Sequence, residues 1–280
     1  MNNITIALLG GLGNQMFQYA FGFSLMEKYG VDVKYSTAYL SGGIKKYRLG
    51  IFGGMNVLLL EQESFKNRLT YRILNKLGNE RLHSLFNYRI QQGMDLVDVK
   101  PKNNMKYIGY WQNEEYFKEF KGAIKSKFVL NVSLSDEYYA YLDKIENEST
   151  SVAVHFRKGD YLQHQDVYTQ CSNNYYSNAI EYIESRTINA KYFVFSDDIE
   201  SAKINWPGDS SRTVFVKNTK ADYEDLFLMS KCNHNIIANS TFSWWGAYLG
   251  PENDRIICAP RKFFIKRQTF YPRQWITFEN

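Results

Sequence analysis

Ser151-Val-Ala-Val-His155-Phe-Arg157-Lys158-Gly159-Asp160 is the stretch that decides the fold class of this chain. Its apolar first half predicts a buried strand, and ionisable side chains follow directly at the end of that strand. In open α/β sheets ligands bind beyond the carboxyl ends of the strands, so Arg157 and Lys158 would face an anionic group there. The guanidinium fork of Arg157 suits a pair of phosphate oxygens. An internal ion pair between Arg157 and Asp160 is the alternative, and this stretch alone does not decide between the two.

The sequence after this stretch alternates regularly between strand and helix patterns. The predicted strands cover residues 151–156, 191–196, 213–216, 235–238 and 255–259, and the predicted helices cover residues 175–186, 221–230 and 242–249. Repeated strand–helix alternation predicts a mostly parallel sheet with helices on both faces.

The first half opens in the same way, with a strand over residues 4–9, a glycine turn, and a helix over residues 14–29 that ends at Gly30. Further predicted elements are a strand over 31–36, a helix over 60–77, a strand over 106–111, and helices over 114–127 and 135–147. The acidic and polar stretch over residues 146–151 predicts a boundary between two domains, residues 1–148 and 149–280. A linker that begins nearer Phe128 is the alternative.

The composition is that of a globular protein with a mild positive charge. Lys and Arg number 34 against 29 Asp and Glu, which gives a net charge of +5. This dispersed excess favours an anionic ligand or an anionic membrane face and gives no indication of nucleic-acid binding. Three cysteines without metal-like spacing argue against a disulfide framework and a zinc site, so we expect a cytoplasmic protein.

The start of the chain and its apolar stretches bear on membrane contact. The opening residues lack the basic region of a signal peptide and predict the first strand instead. No apolar stretch reaches the ~20 residues that span a bilayer, so membrane association would be peripheral. The sequence indicates no particular oligomeric state.

Gly10-Gly11-Leu12-Gly13-Asn14-Gln15 lies between the first strand and the first helix. Its backbone can pass close to a ligand, and the helix N-terminus that follows can face an anion. The dinucleotide-binding fingerprint fails here, because Met16 occupies the third glycine position and Lys34 stands where an acidic ribose ligand is expected. The carboxamides of Asn14 and Gln15 suit sugar hydroxyls. A glycine turn capped by Asn14 is the alternative.

Ser196-Asp197-Asp198 ends a second apolar strand with adjacent carboxylates. Such a carboxylate can accept two N–H bonds from a purine such as guanine, or it can cap the following helix. We assign Asp198 to the base and Asp197 to a structural role, and the reverse order remains open.

Asn239-Ser240-Thr241 follows a third strand and opens a helix. The free backbone N–H groups and hydroxyls at such a helix N-terminus form an anion site, although a simple helix cap would need only one of these side chains. The adjacent Trp244 and Trp245 are expected to pack this helix against the sheet.

Metal-binding motifs are missing from the sequence. It contains no Asp-x-Asp, no His-Glu-x-x-His and no Walker-type Gly-Lys-Ser/Thr. A bound diphosphate would therefore be neutralised by fixed donors, which are Arg157, Lys158 and the helix end at Ser240 and Thr241. We expect metal-independent chemistry with no cofactor.

Taken in order, the segments GGLGNQMFQYA, HFRKGD, FSDD and NSTFSWWGAYL resemble the bacterial α-1,2-fucosyltransferases of glycosyltransferase family 11. The segment over residues 109–117 also looks like one of this family. The resemblance implies an α/β GT-B fold with two Rossmann-like domains of mostly parallel sheets that face one another across a cleft, the acceptor on the side of the first domain. It also implies GDP-β-L-fucose as the donor and inverting transfer to the 2-hydroxyl of a terminal galactose.

The resemblance also implies roles for individual residues. Arg157 matches the arginine that binds the donor diphosphate, and His155 and Asp160 match its companions. Lys158 stands where a second arginine is usual, and a lysine loses the planar fork that a bidentate phosphate contact needs. The loop that contains Gly11, Gly13, Asn14 and Gln15 would lie near the transferred fucose and the acceptor.

For the mechanism we hypothesise a single displacement in which Arg157 and the helix end stabilise the leaving diphosphate. Asp160 is the first candidate for the general base and His155 the second, although Asp160 could instead hold Arg157 in place. The partners would be GDP-fucose and a galactose-terminated glycan of the surface-polysaccharide or O-antigen type. A lipid-linked acceptor would bring the enzyme to the inner face of the cytoplasmic membrane. A non-catalytic sugar-binding module, a nucleotide-dependent oxidoreductase and a transferase for a related GDP-deoxysugar are the alternatives.

Overall fold

A computed structural model describes residues 2–40, 46–60, 64–91, 96–157, 171–252, 254–263 and 271–280. The chain divides into two compact units, Met1–Val132 and Ser133–Asn280. This division precedes the predicted boundary between residues 148 and 149 because the helix at 136–146 packs with the second unit. The backbone N–H and the hydroxyl of Ser135 both donate to the buried carboxylate of Glu224, at 2.8 and 2.6 Å. The polar stretch over 146–151 is therefore a turn inside the second unit.

The first unit is a parallel five-stranded sheet with helices. Its strands are β1 (Asn3–Ala7), β2 (Asp32–Ser36), β3 (Leu58–Leu60), β4 (Tyr88–Ile90) and β5 (Met105–Ile108), and its α-helices are α1 (Leu12–Tyr29), α2 (Phe65–Leu77), α3 (Glu80–Leu85) and α4 (Lys121–Lys127). The strand order is β3-β2-β1-β5-β4, and every pair is parallel. On one side of β1 lie β2 and then β3, and on its other side lie β5 and then β4. The order therefore reverses between β1 and β5.

Helix α1 is the central helix of this unit, and its residues from Leu12 to Leu25 are almost all buried. The ring of Phe21 stacks on that of Trp111 with centroids 4.1 Å apart. Trp111 adopts a left-handed backbone conformation with φ of 54°, which is a strained conformation for a bulky residue. The predicted strand over 106–111 therefore ends at Ile108. A side chain on Gly109 would meet the side chain of Gln91 at 2.6 Å, so only glycine fits this turn.

The second unit is a six-stranded parallel sheet covered by helices. Its strands are β6 (Ser151–His155), β7 (Lys191–Phe195), β8 (Thr213–Phe215), β9 (His234–Ile236), β10 (Ile257–Pro260) and β11 (Ile276–Phe278), and its α-helices are α5 (Asp136–Glu146), α6 (Asn173–Glu184), α7 (Ile199–Asn205), α8 (Asp222–Lys231) and α9 (Thr241–Tyr248). The strand order is β11-β10-β9-β6-β7-β8. Every residue of β6 is buried, with apolar clusters on both faces of the sheet. The strand order reverses between β6 and β9.

These two sheets confirm the prediction of an α/β protein with two mostly parallel sheets. Trp244 and Trp245 are fully buried, as expected, and Trp244 stacks on Tyr248 with ring centroids 4.4 Å apart. All three cysteines are buried free thiols. None of the helices in the described ranges is long and apolar enough to cross a bilayer.

A half-buried arginine joins the helix ends of the second unit. The guanidinium of Arg255 donates to the carbonyls of Cys232, Asn233 and Ala247 at 3.2, 3.1 and 2.9 Å. Cys232 and Ala247 lie at the C-terminal ends of α8 and α9, where the helix dipole favours a positive charge. Burial lowers the pKa of Arg255 to about 10, which leaves the guanidinium charged at neutral pH.

Candidate functional site

The carboxyl ends of β6 and β9 meet at the point where the strand order of the second sheet reverses. Val154 pairs with Ile236, so the residues that follow each strand emerge side by side. Ligands of open α/β sheets bind at such points. Here the guanidinium Nη1 of Arg157 donates to the hydroxyl of Ser240 over 2.9 Å. The structure thus brings together two of the residues that the sequence singled out.

Ser240 performs two tasks with one hydroxyl. It is the N-cap of α9, where its Oγ accepts from the backbone N–H of Phe242 at 3.3 Å, and the same Oγ accepts from Arg157. The guanidinium therefore lies beside the positive end of a helix dipole, and two like charges in contact favour a bound anion. Thr241, the first residue of α9, is half-buried at the same helix end. This arrangement suits a phosphate or diphosphate.

The chain that leaves β6 is held by Tyr176. Its hydroxyl donates to the carbonyl of His155 at 3.0 Å. Burial raises the pKa of Tyr176 well above its ordinary value, so the hydroxyl stays protonated and keeps donating. Phe156 packs on the Tyr176 ring with centroids 4.5 Å apart, and the buried His155 packs near Phe242. The backbone that carries Arg157 is thereby fixed.

Asn239 has a structural role that the sequence interpretation did not include. Its Nδ2 donates to the carbonyl of Phe263 at 3.1 Å, and its Oδ1 accepts from the thiol of Cys171 at 3.8 Å. The side chain is buried, so these bonds tie the turn after β9 to two other segments. Through these bonds Asn239 helps to fix the turn that carries Ser240.

Of the two carboxylates after β7, Asp198 makes a capping bond, while the assignment of either one to the guanine base stays a prediction. Asp198 is the N-cap of α7, and its Oδ1 accepts from the backbone N–H of Ser201 at 2.9 Å. Asp198 is thus the capping residue. Asp197 is exposed, and its negative charge contributes to the raised pKa of Tyr176, which places it near the end of β6.

Two residues of the predicted site, Lys158 and Asp160, lie outside the described residues. Their roles, as second phosphate contact and as base or brace, stay predictions. Among the residues that the structure describes, no group of three His, Cys, Asp or Glu side chains is placed to hold a metal ion. Metal independence likewise stays a prediction.

The glycine loop of the first unit lies at the carboxyl end of β1, next to the end of β5. Gly10 has φ of +73°, and the Nδ2 of Asn14 lies directly over it. The exposed Gly11 begins α1 without a side-chain cap, while Gly13 is buried in its first turn. Asn14 does not cap the helix, since its Oδ1 accepts from the Nε2 of Gln112 at 2.7 Å. This bond joins the two strand ends where the order of the first sheet reverses.

The carboxamide of Gln15 is used inside the fold. Its Nε2 donates to the carbonyls of Gly10 and Lys46 at 3.0 and 2.9 Å, and its Oε1 accepts from the backbone N–H of Arg48 at 2.9 Å. Gln18, one turn later, accepts from the N–H of Leu9 and donates to the carbonyl of Gly109. Within the predicted sugar site, Asn14 is thus the carboxamide that reaches the partly exposed surface.

Sequence reasoning missed three polar residues near these strand ends. Gln18 and Gln112 are buried carboxamides. The close spacing of carboxamide residues at the start of the apolar first helix was the sequence signal that could have identified Gln18. Asp225 lies one turn into α8, and burial raises its pKa to about 6. Its Oδ1 is buried without a hydrogen-bond partner among the described residues. A carboxylate perturbed in this way is a candidate for ligand binding.

Known proteins resemble this chain in sequence and in fold. The model of Glycosyl transferase family 11 matches residues 1–279. An alpha-1,2-colitosyltransferase of Escherichia coli is 33% identical over 100% of both chains. The O-antigen biosynthesis glycosyltransferase WbnK of Escherichia coli is 29% identical over 92% of this chain and 93% of its own. The galactoside 2-alpha-L-fucosyltransferase Sec1 of Mus musculus is 24% identical over 97% of this chain and 73% of its own.

Solved structures share the architecture. A crystal structure of the NodZ alpha-1,6-fucosyltransferase soaked with GDP-fucose has a TM-score of 0.52 and 15% identity, over 89% of this chain and 93% of that chain. The NodZ structure co-crystallised with GDP has a TM-score of 0.53 and 13% identity over the same shares. At these identities the likeness concerns the fold, which is that of GT-B glycosyltransferases.

Proposed function

The chain belongs to glycosyltransferase family 11, and from that premise we propose that it transfers L-fucose from GDP-β-L-fucose to the 2-hydroxyl of a terminal galactose. The observation that carries the proposal is the bond from Arg157 to Ser240 at the N-terminus of α9, because it places a guanidinium at the positive end of a helix dipole. Relatives named as α-1,2-transferases support the linkage, and NodZ structures with GDP and GDP-fucose support the donor class.

The mechanism that fits these residues is a single displacement with inversion. The acceptor hydroxyl attacks the anomeric carbon of fucose while the bond to the β-phosphate breaks, and the β-linked donor gives an α-linked product. Negative charge develops on the leaving diphosphate, where Arg157 and the first N–H groups of α9 stabilise it. Because these donors are fixed before the reaction, we propose that no metal ion is needed. Asp160 is proposed as the base that accepts the hydroxyl proton, with His155 as the second candidate.

We propose that Asp225 or Asp197, rather than Asp198, accepts hydrogen bonds from the guanine base. Asp198 already accepts the capping bond of α7, whereas Asp225 has a buried oxygen without a partner among the described residues. A carboxylate oxygen of this kind can accept N–H bonds from guanine, and such a bond would favour the charged form of Asp225. Binding of GDP would then lower the pKa of Asp225 from about 6.

The donor sugar has a second candidate. The Escherichia coli relative of 33% identity is named as a colitosyltransferase, and colitose is fucose without its 3-hydroxyl. The two donors would share the GDP contacts at Arg157 and Ser240 and would differ in one sugar hydroxyl. A site that hydrogen-bonds that hydroxyl would reject colitose strongly, whereas an apolar site would distinguish the two donors weakly.

Incubation with GDP-fucose or GDP-colitose and a panel of β-galactosides, in the presence of a chelator, tests the proposal. The expected result is an α-1,2-linked fucosyl product, identified by NMR of the purified glycan. Transfer from GDP-colitose alone would establish the second candidate. Binding of GDP without turnover on any galactoside would indicate a non-catalytic sugar-binding module and would refute the proposal.

A further inference from the structure

Helix α2 of the first unit carries an apolar row on its outer face. Leu69, Ile73 and Leu77 are spaced four residues apart, and their exposed fractions are 46%, 51% and 58%. At this spacing the three side chains form one continuous row along the helix. The C-terminal end of α3 adds two more exposed apolar side chains, Leu85 and Phe86. Side chains of this kind grouped on one helix mark an interaction surface.

This apolar row is not needed to hold α2 in the fold. The inner face of the helix packs through the buried Leu74 and through Tyr71, whose ring meets that of Tyr39. Leu74 also offers its carbonyl to the buried His83 at 2.9 Å. The helix begins at the Ser64 cap and ends at the left-handed Gly78. Changes on the outer face should therefore leave the fold intact.

Basic residues accompany the apolar row. Arg72 and Lys76 are exposed and directly precede Ile73 and Leu77 in the sequence, and Lys66 is exposed nearer the start of the helix. The segment over residues 64–86 has five Lys and Arg against one acidic residue, Glu80. A surface helix with an apolar row beside a basic row is typical of a segment that lies at the interface of an anionic membrane.

We propose that the outer face of α2, defined by Leu69, Arg72, Ile73, Lys76 and Leu77, binds the surface of an anionic phospholipid bilayer. The charge decides this occupant. A symmetric dimer through the same face would bring two basic rows together, which is unfavourable. Anionic headgroups complement the basic row, while the apolar row inserts at the level of the acyl boundary. The proposal does not depend on the transfer reaction and would place the enzyme where a lipid-linked acceptor is found.

Sedimentation with vesicles tests this directly. The whole protein should bind vesicles that contain phosphatidylglycerol, and binding to pure phosphatidylcholine vesicles should be much weaker. Arg72→Gln with Lys76→Gln should lower the partition coefficient about 30-fold, since each basic residue near the surface contributes roughly a fivefold factor. Leu69→Gln, Ile73→Gln and Leu77→Gln together should lower it about tenfold or more.

Matched controls come from other exposed positions. Ile188 and Ile204, exposed by 80% and 85%, lie in the second unit, and Ile188→Gln with Ile204→Gln should leave binding unchanged. Lys100→Gln with Lys102→Gln removes the same charge from an exposed stretch that precedes β5 and should weaken binding much less than the α2 change. Thermal unfolding confirms that each variant is folded. Equal binding to both kinds of vesicle, or equal loss in the α2 variants and their controls, would overturn the proposal.

Discussion

The bond between Arg157 and Ser240 makes the sharpest prediction about activity. Arg157→Lys keeps the positive charge but loses the guanidinium fork, which can donate to Ser240 and to a ligand at the same time. A single ammonium group takes its place. Loss of one preorganised donor to a developing negative charge costs roughly 10²–10³ in rate, or about 2.7–4 kcal/mol. We therefore expect kcat/KM for fucosyl transfer to fall by a factor in that range.

Ser240→Ala tests whether the hydroxyl acts through Arg157. The substitution removes the acceptor that orients the guanidinium and also the cap of α9. We expect kcat/KM to fall about tenfold, which corresponds to about 1.4 kcal/mol. In the Arg157→Lys background the same substitution should cost much less, with a coupling energy of about 1 kcal/mol.

The assay is a double-mutant cycle on initial rates, measured at saturating galactoside with the donor varied. Ser172→Ala is the matched control because Ser172 caps α6 with the same kind of bond, to the N–H of Tyr175 at 3.2 Å. It should lose a similar free energy of unfolding, about 1 kcal/mol, and retain its kcat. Additive losses in the cycle, or an Arg157→Lys enzyme with more than about half of the wild-type kcat/KM, would refute the reasoning.

Four further outcomes are expected. Asp225→Asn should raise Tm above pH 6. The carboxylate binds a proton at about pH 6 in the folded protein and only at lower pH in the unfolded chain, so its charged form destabilises the fold. The gain in Tm should shrink as the pH falls through 6, and a gain independent of pH in thermal scans would contradict this. Arg255→Met should lower the free energy of unfolding by roughly 2–4 kcal/mol in urea titrations, since it leaves buried carbonyls without a donor. Arg261→Met, the control at an exposed ion pair, should change this free energy by less than about 1 kcal/mol. Gln18→Leu should cost a similar 2–4 kcal/mol, roughly, because the Leu9 N–H and the Gly109 carbonyl lose their partner; a Tm like that of the wild type would show that water replaces it. Chelator treatment should leave the transfer rate unchanged, and recovery of a lost rate on adding Mg²⁺ or Mn²⁺ would contradict the metal-independent mechanism.

The sequence predicted the positions where chemistry-bearing side chains leave the strands. Arg157 and Ser240 are separated by 83 residues, yet both follow apolar runs that had to be strands of one parallel sheet, so their ends had to meet at one edge. The burial of Trp244 and Trp245 followed from the apolar pattern of their helix. Periodicity and strand order carry this kind of information.

Other features depend on details that periodicity does not contain. Asp197 and Asp198 are chemically identical, and the dihedral angles at the start of α7 alone decide which of them caps it. Strands β3 and β4 have three residues each and give almost no pattern. The bond between Asn14 and Gln112 joins residues 98 positions apart, and local patterns do not show such pairs. Composition alone does not separate a polar turn such as 146–151 from a linker, whereas the division at Val132 lies close to the alternative near Phe128.

The central position of β6 also orders events during synthesis. The first sheet is complete once β5 has been made, so the first unit can pair all its strands early. The second unit differs, because β6 needs β9 as its neighbour and Ser151 is bonded to Asn233, 82 residues later. The carbonyls at the C-terminal ends of α8 and α9 gain their guanidinium partner only after Arg255 has been made. A nascent chain can pair β6 with β7 early, but the other edge of this buried strand stays unpaired until β9 emerges, and chaperone binding or aggregation is expected to concentrate on that edge.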